Sequence, residues 1–223
     1  MKILIFGATG MVGQGVLREC LLASDVTQVL AVGRSATGVQ HPKLRELLKK
    51  DLYDYRDNES QLQGFDACFF CLGVSSAGMI ETEYHHMTYD LTIAAAKTLA
   101  RLNPQMSFAY VSGAGTDSSE RGRVMWARVK GKLENALMQL PFKAAYMFRP
   151  GVIQPLHGAR SKTTAYRVIY TLLKPVLSTL RLLWPDMITT TEAIGLAMLA
   201  LVRDNAPSAV LETRDIQRAS QLA

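Results

Sequence analysis

Three glycines near the amino terminus have the spacing of a phosphate-binding turn. Gly7, Gly10 and Gly13 follow the apolar run 3–6, and an apolar pattern with helical periodicity begins among them. A short continuous apolar run is typical of a buried parallel strand. A strand that passes through glycines into a helix brings backbone N–H groups, at the positive end of the helix dipole, close to an anion. The residues predicted to bind a pyrophosphate are Gly7, Thr9, Gly10, Met11, Val12 and Gly13.

The residue after the second predicted strand indicates which dinucleotide binds. A site for NAD usually has an acidic side chain here, which accepts hydrogen bonds from the ribose, whereas this chain has Arg34 followed by Ser35. A guanidinium can form two hydrogen bonds with a 2′-phosphate. The sequence therefore favours NADP(H), with NADPH preferred over NADH, although exposed arginines at strand ends are also common. Asp51 would then reach the adenine amino group, with Leu52 against the ring.

The order of the predicted elements indicates an α/β fold. Strands are predicted over residues 3–6, 26–32, 65–72, 107–112 and 144–148, with an ambiguous one over 44–52, and helices over 57–62, 88–102 and 124–140. Such alternation is typical of a doubly wound parallel sheet, the Rossmann arrangement. Residues 1–223 are expected to form a single domain of this kind.

Small and polar residues follow the predicted strands at the edge where such sheets bind ligands. In doubly wound folds this edge lies beyond the carboxyl ends of the strands. Several segments that interrupt the apolar runs fall there, so they extend the candidate cofactor site beyond the glycine turn and Arg34. The added residues are Cys71, Leu72, Gly73, Val111, Pro150 and Val152.

Composition excludes several other classes of protein. The formal net charge of +6 fits an anionic ligand, but the basic residues are dispersed and no nucleic-acid-binding pattern accompanies them. Cys68 and Cys71 lie in a predicted buried strand and are interpreted as core residues, and no metal site is expected. The apolar stretch 171–184 contains charges and is too short to span a membrane. Since no signal peptide precedes the first strand, a cytoplasmic location is expected.

Together these motifs resemble those of the short-chain dehydrogenase/reductases. The residues that match are the glycine turn 7–13, Gly-Arg-Ser at 33–35, Asp51-Leu52, Cys-Leu-Gly at 71–73, Tyr-Val-Ser at 110–112 and Arg-Pro-Gly at 149–151. They are most similar to the atypical branch that includes nucleoside-diphosphate-sugar epimerase-like proteins and Tat-interacting-protein-like NADP-binding regulators. The resemblance implies a Rossmann fold, a nicotinamide cofactor and a small-molecule substrate above the sheet.

The resemblance also implies a catalytic Ser-Tyr-Lys group, and this chain lacks its tyrosine. In the family the tyrosine exchanges a proton with the substrate, the lysine lowers the tyrosine pKa and holds the nicotinamide ribose, and the serine orients the substrate. The matching positions here are Ser112, Lys130 and, in place of tyrosine, Trp126. An indole N–H donates a hydrogen bond but does not act as an acid in the working pH range.

Two functional hypotheses follow from the missing tyrosine. The first is an NADP-dependent oxidoreductase or epimerase-like enzyme with a non-standard proton donor, for which His85 and His86 are candidates. The second is a catalytically weak or inactive regulatory or scaffold protein that binds the cofactor.

Residues 152–190 are predicted to form a lid or substrate-binding segment of helical character. Within it, residues 160–184 combine apolar positions at three- and four-residue steps with basic residues, as in amphipathic helices. This segment could cover the nicotinamide or contact a partner or a membrane surface. The favoured interpretation is a helix pair packed on the sheet, whose remaining apolar face could serve a homodimer.

Overall fold

The computed structural model describes residues 1–160, 187–204 and 208–223. In this part of the chain, parallel strands form a seven-stranded sheet in the order β3-β2-β1-β4-β5-β6-β9, which extends the Rossmann strand order. A separate parallel pair joins β7 to β8. The strands are β1 (Lys2–Phe6), β2 (Gln28–Gly33), β3 (Leu44–Leu48), β4 (Ala67–Phe70), β5 (Ser107–Val111), β6 (Ala144–Arg149), β7 (Val152–Gln154), β8 (Ile188–Thr190) and β9 (Val210–Glu212).

Helices cover both faces of this sheet. A π-helical turn, His86–Asp90, joins α2 to α3, and a short 3-10 helix, Arg56–Gln61, precedes β4. The α-helices are α1 (Met11–Leu22), α2 (Glu81–His85), α3 (Leu91–Leu102), α4 (Met125–Met138), α5 (Thr191–Asp204) and α6 (Thr213–Ser220). Among the described residues, none of the helices combines the length and the apolar character needed to cross a membrane.

The hydrophobic core has two layers because successive strand residues face opposite sides of the sheet. In β1, Ile3 and Ile5 pack against the side covered by α1, α5 and α6. Leu4 and Phe6 pack against the side covered by α3 and α4. All four are fully buried, which explains why β1 is a continuous apolar run rather than an alternating one.

Glycines allow α1 and α5 to pack at very short range. A Cβ atom on Gly15 would lie 2.5 Å from the Cβ of Thr191, and one on Gly195 would lie 2.8 Å from the Cγ of Glu19. Larger residues at either glycine would force the helices apart. The position of α1, which follows the glycine turn, therefore depends on α5.

The predicted doubly wound α/β fold is confirmed, with corrections to individual elements. The third strand ends at Leu48, so the predicted strand over 44–52 is too long and Asp51 lies in the following loop. Residues predicted as a helix over 57–62 form the 3-10 helix. The helix predicted from residue 88 is preceded by α2 and the π-helical turn. Strand β9 was not predicted, because three residues are too few to show a period-2 pattern.

The predicted lid is only partly within the described residues. Its ends include β7 and β8, whose pairing ties residue 152 to residue 188. The predicted amphipathic stretch 160–184, apart from Arg160, lies outside the described residues.

Candidate functional site

The turn between β1 and α1 is too tight for side chains at two of its glycines. Gly7 has a φ of +79°, and a Cβ atom there would lie 2.7 Å from the backbone nitrogen of Leu72. A Cβ atom on Gly13 would lie 2.1 Å from the carbonyl oxygen of Gly7. The Gly10 N–H donates to that same oxygen at 2.9 Å. Glycine is therefore required at 7 and 13, and the turn presents backbone rather than side chains to a ligand.

The amino terminus of α1 is suited to an anion. Its N-cap residue, Gly10, provides no side-chain cap, and its first turn contains no acidic residue. The N–H groups of the first turn, including those of Met11 and Val12, have no acceptor within the helix. Together with the helix dipole, this arrangement fits the pyrophosphate of a dinucleotide.

A cavity of about 230 Å³ opens beside the turn, at the carboxyl ends of β1, β2, β3 and β4. Predicted cofactor residues that line it are Gly7, Thr9, Gly10, Arg34, Leu52, Cys71, Leu72 and Gly73. Residues that line it without having been predicted to bind the cofactor are Lys50, Tyr53, Val74, Met87 and Leu91. A smaller cavity of about 70 Å³ shares Arg34 and is also lined by Ser35, Thr37 and Glu46.

Other predicted cofactor residues do not line these two cavities. The Asp51 carboxylate accepts the backbone N–H of Tyr53 at 2.8 Å through Oδ1, and its contact with an adenine amino group stays a prediction. The Pro150 carbonyl accepts the N–H of Ala114 at 2.9 Å. The remaining predicted residues outside both cavities are Met11, Val12, Gly13, Val111, Lys130 and Val152.

Ser112 directly follows β5 and is held by hydrogen bonds on both sides. Its N–H donates to the Phe148 carbonyl at 2.7 Å, and its Oγ lies 3.0 Å from Thr116 Oγ1. Thr116 donates its own proton to the Gly113 carbonyl at 2.8 Å, so Ser112 is the donor in the pair of hydroxyls. The Ser112 hydroxyl oxygen can therefore accept a hydrogen bond from a substrate. It could donate one only after its hydrogen bond to Thr116 breaks.

Lys130 lies against the same strand end. Its Nζ donates to the Ser112 carbonyl at 2.8 Å and lies 5.7 Å from the centre of the Tyr110 ring. Burial lowers the pKa of Lys130 from 10.5 to about 8, and the charge of Glu134 opposes part of that fall. An ammonium has three donors, so two remain for other acceptors such as ribose hydroxyls.

A buried ion pair fixes α4, which contains Lys130, to β6. Glu134 is fully buried, and its two carboxylate oxygens each lie 3.1 Å from Nε of Arg149. Arg149 also donates to the Ser118 hydroxyl at 2.5 Å. Because this guanidinium belongs to the Arg-Pro-Gly segment, the ion pair links that segment to the helix of Lys130.

Trp126 lies one helical turn before Lys130 and is half-buried. Its ring atom Cη2 would lie 3.7 Å from a Cβ on Gly115, a residue with a φ of +83°. Among the described residues, its indole N–H has no hydrogen-bond partner. The structure thus provides an aromatic surface where the family resemblance implies a tyrosine hydroxyl.

The histidines proposed as proton relays are linked to one carboxylate at the other end of the site. Nδ1 of His86 lies 3.1 Å from Asp90, and Nδ1 of His85 lies 3.4 Å from it. The His86 ring stacks on Tyr53 with ring centres 4.6 Å apart, and Tyr53 lines the larger cavity. This arrangement places His86 next to the Arg34 end of that cavity. Within the described residues, no group of three potential ligands could hold a metal ion.

The chain is similar to fungal mitochondrial proteins. It is 29% identical over 161 residues to FMP52-2 of Scheffersomyces stipitis, and this aligned region covers 71% of this chain and 67% of that protein. It is 30% identical over 157 residues to FMP52 of Eremothecium gossypii, covering 69% and 66%. The aligned region thus spans about two thirds of the length of FMP52-2 and slightly less than two thirds of the length of FMP52. No family model matches the chain.

Solved structures define the class of fold. An oxidoreductase of the short-chain dehydrogenase/reductase family from Burkholderia thailandensis aligns with a TM-score of 0.65 at 17% identity, over 96% of this chain and 92% of that one. WbmF from Bordetella bronchiseptica, solved with NAD+, aligns with a TM-score of 0.66 at 16% identity, over 97% and 76%. The chain therefore has the Rossmann fold of the short-chain dehydrogenase/reductases, as its motifs predicted.

The location predicted from the sequence is wrong. We expected a cytoplasmic protein, whereas several of the relatives are named as mitochondrial proteins. The expectation rested on the lack of a secretory signal peptide before the first strand, and that feature does not distinguish the cytoplasm from a mitochondrial compartment.

Proposed function

We propose that this protein binds NADP(H) and is an oxidoreductase or epimerase-like enzyme that acts on a small molecule through a non-standard proton donor. The observation on which this rests is the arrangement of the glycine turn, Arg34 and Lys130 along one edge of the sheet. The similarity of fold to a structure that contains NAD+ supports a nicotinamide dinucleotide. Arg34 has no carboxylate within ion-pair distance among the described residues, which supports a 2′-phosphate as its partner.

Each residue has a distinct part in this proposal. The turn from Gly7 to Gly13 and the start of α1 bind the pyrophosphate. Lys130 holds the nicotinamide ribose through its two uncommitted N–H groups. Ser112 accepts a hydrogen bond from a substrate hydroxyl, because its own proton is donated to Thr116. The bound nucleotide would supply the hydride acceptor or donor.

Calorimetric titration tests the choice of cofactor. NADPH should bind the wild-type protein more tightly than NADH does. Arg34→Glu should weaken NADPH and leave NADH unchanged or improved, because the carboxylate repels a phosphate and can accept from ribose hydroxyls. Equal affinities for the two nucleotides in the wild-type protein would refute the proposed preference for NADP(H).

The second candidate function is regulation by cofactor binding without turnover, and Trp126 favours it. The indole cannot exchange a proton with a substrate at neutral pH. Oxidation of NADPH should therefore be compared, across a panel of small carbonyl compounds, in the wild-type protein and in Trp126→Tyr and Trp126→Phe, which differ by one hydroxyl. If the wild-type protein oxidises NADPH and Ser112→Ala lowers that rate, the enzyme hypothesis is supported. If only Trp126→Tyr shows turnover, the hypothesis of regulation without turnover is supported.

A further inference from the structure

We propose that Lys50 is a second cation for the 2′-phosphate of the dinucleotide, so that two side chains from neighbouring strand ends select the phosphorylated cofactor. This inference rests on the proposed binding of NADP(H) and adds a residue that determines its specificity.

The register of the sheet brings Lys50 beside Arg34. Strands β2 and β3 are parallel neighbours, with Gly33 paired to Leu48, and the N–H of Lys49 donates to the Gly33 carbonyl at 2.9 Å. Arg34 and Lys50 therefore emerge from adjacent strand ends, and both line the cavity of about 230 Å³. A dianionic phosphate between them would contact both charges.

Both cations lack a counterion in the described part of the chain. No described carboxylate lies within 4.0 Å of the charged atoms of Arg34 or Lys50. Both side chains are exposed to solvent. No described lysine has a carboxylate partner, but about half of the other described arginines do. These are Arg18, Arg56, Arg101, Arg128, Arg149 and Arg203.

The nearby acidic side chains accept hydrogen bonds from other groups. Glu46, in the smaller adjoining cavity, accepts from the N–H and the hydroxyl of Thr37, both at 2.6 Å. Asp51 accepts from the N–H of Tyr53 at 2.8 Å. Arg34 and Lys50 therefore place two positive charges in the cavity wall without a directly paired carboxylate, which favours a phosphate there.

The chain provides a matched control in the preceding residue. The Nζ atom of Lys49 lies 6.0 Å from the centre of the Tyr55 ring, and Lys49 does not line the cavity. Lys49→Met and Lys50→Met remove the same charge from adjacent positions, so they change the long-range field almost equally. Only Lys50→Met removes a cation from the cavity wall.

Titrations with nucleotides and with their adenosine halves test the inference without requiring turnover. NADPH, NADH, 2′,5′-ADP and 5′-AMP should be titrated into the wild-type protein, Lys50→Met, Lys50→Arg and Lys49→Met. Loss of one charged contact should weaken NADPH and 2′,5′-ADP by about tenfold in Lys50→Met. NADH and 5′-AMP should change by less than about twofold, because they lack the 2′-phosphate. Lys50→Arg should restore most of the affinity.

The outcomes separate this inference from the proposed function. If the wild-type protein prefers NADPH but Lys50→Met behaves like Lys49→Met, Lys50 has no part in specificity and Arg34 alone accounts for it. If Lys50→Met weakens NADPH and NADH equally, Lys50 does not contact the 2′-phosphate and the inference is also refuted. If the wild-type protein prefers NADH, the proposed preference for NADP(H) fails together with the inference. Circular dichroism spectra of the variants verify that each substitution leaves the fold intact.

Discussion

Substitution of Lys130 by methionine should change how the stability of the protein depends on pH. The Lys130 ammonium is half-buried and donates to the Ser112 carbonyl at 2.8 Å. Burial lowers its pKa from 10.5 to about 8, so the folded protein binds this proton less tightly than the unfolded chain does. Methionine fills a similar volume without a charge.

The size and sign of the effect follow from this difference in pKa. At about 1.4 kcal/mol per pKa unit, the fall from 10.5 to about 8 corresponds to a cost of at most about 3.5 kcal/mol at pH 7. Partial exposure of the side chain reduces the expected value to about 1–2 kcal/mol. Between pH 8 and 10.5 the unfolded chain binds more protons than the folded one, so this contribution to the free energy of unfolding rises with pH. The loss of stability caused by burying the Lys130 charge is largest below pH 8 and disappears as the pH approaches 10.5.

Urea unfolding at a series of pH values from 7 to 10 measures this dependence. The free energy of unfolding of Lys130→Met, relative to wild type, should fall by about 1–2 kcal/mol as the pH rises through that range. Lys132→Met is the control, because Lys132 is exposed on the same helix with its Nζ 5.2 Å from the centre of the Tyr89 ring. Parallel wild-type and Lys130→Met profiles would show that the Lys130 pKa is not lowered, and the reasoning from burial would then be wrong.

Further substitutions test the turn, the buried ion pair and the loop before β4. Gly13→Ala places a Cβ 2.1 Å from the Gly7 carbonyl, so dinucleotide affinity in calorimetry should fall by more than about tenfold; unchanged affinity would contradict the proposed turn. Glu134→Ala leaves the guanidinium of Arg149, whose side chain is 11% exposed, without its buried partner. Urea unfolding should show that the free energy of unfolding falls by about 3 kcal/mol. A fall of less than about 1 kcal/mol would contradict the importance of this buried ion pair. Asn103 accepts N–H groups of the loop at 2.7 and 3.1 Å and donates to it at 2.9 Å, so Asn103→Ala should cost about 2 kcal/mol. Asn103→Asp keeps the acceptor but turns a carboxylate oxygen toward the Leu62 carbonyl in a buried position, so it should not recover this loss; full recovery in Asn103→Asp would refute the role of the donated hydrogen bond.

The glycine turn could be predicted because its requirements are local. A buried strand, a positive φ at Gly7 and the contact of Gly13 with the Gly7 carbonyl involve residues close together in sequence. The spacing of the glycines therefore shows directly in the chain. The doubly wound fold could be predicted for a similar reason, since each strand–helix unit has its own hydrophobic period.

The rest of the cavity depends on where strands end and how loops bend, which the sequence pattern does not define. Lys50 was not predicted because the third strand was extended to residue 52, whereas β3 ends at Leu48. Tyr53 lies beyond either strand end, and its place in the cavity wall depends on how the following loop bends. The pairing of Ser112 with Thr116 depends on a loop in which the Thr116 hydroxyl reaches the Gly113 carbonyl. The position of Lys50 thus depends on how β3 packs beside β2, whereas the contact of Ser112 with Thr116 is local and depends on a loop conformation that has no periodic pattern.

The close packing of α1 on α5 has a consequence for biosynthesis. The glycine turn is translated well before Gly195 and Thr191, yet the helix behind it packs on both of them. A nascent chain can therefore form the turn early but cannot brace it until α5 has also been synthesised. Chains that terminate before α5 should therefore leave α1 without its packing partner, and limited proteolysis should cleave such chains faster than chains that contain α5.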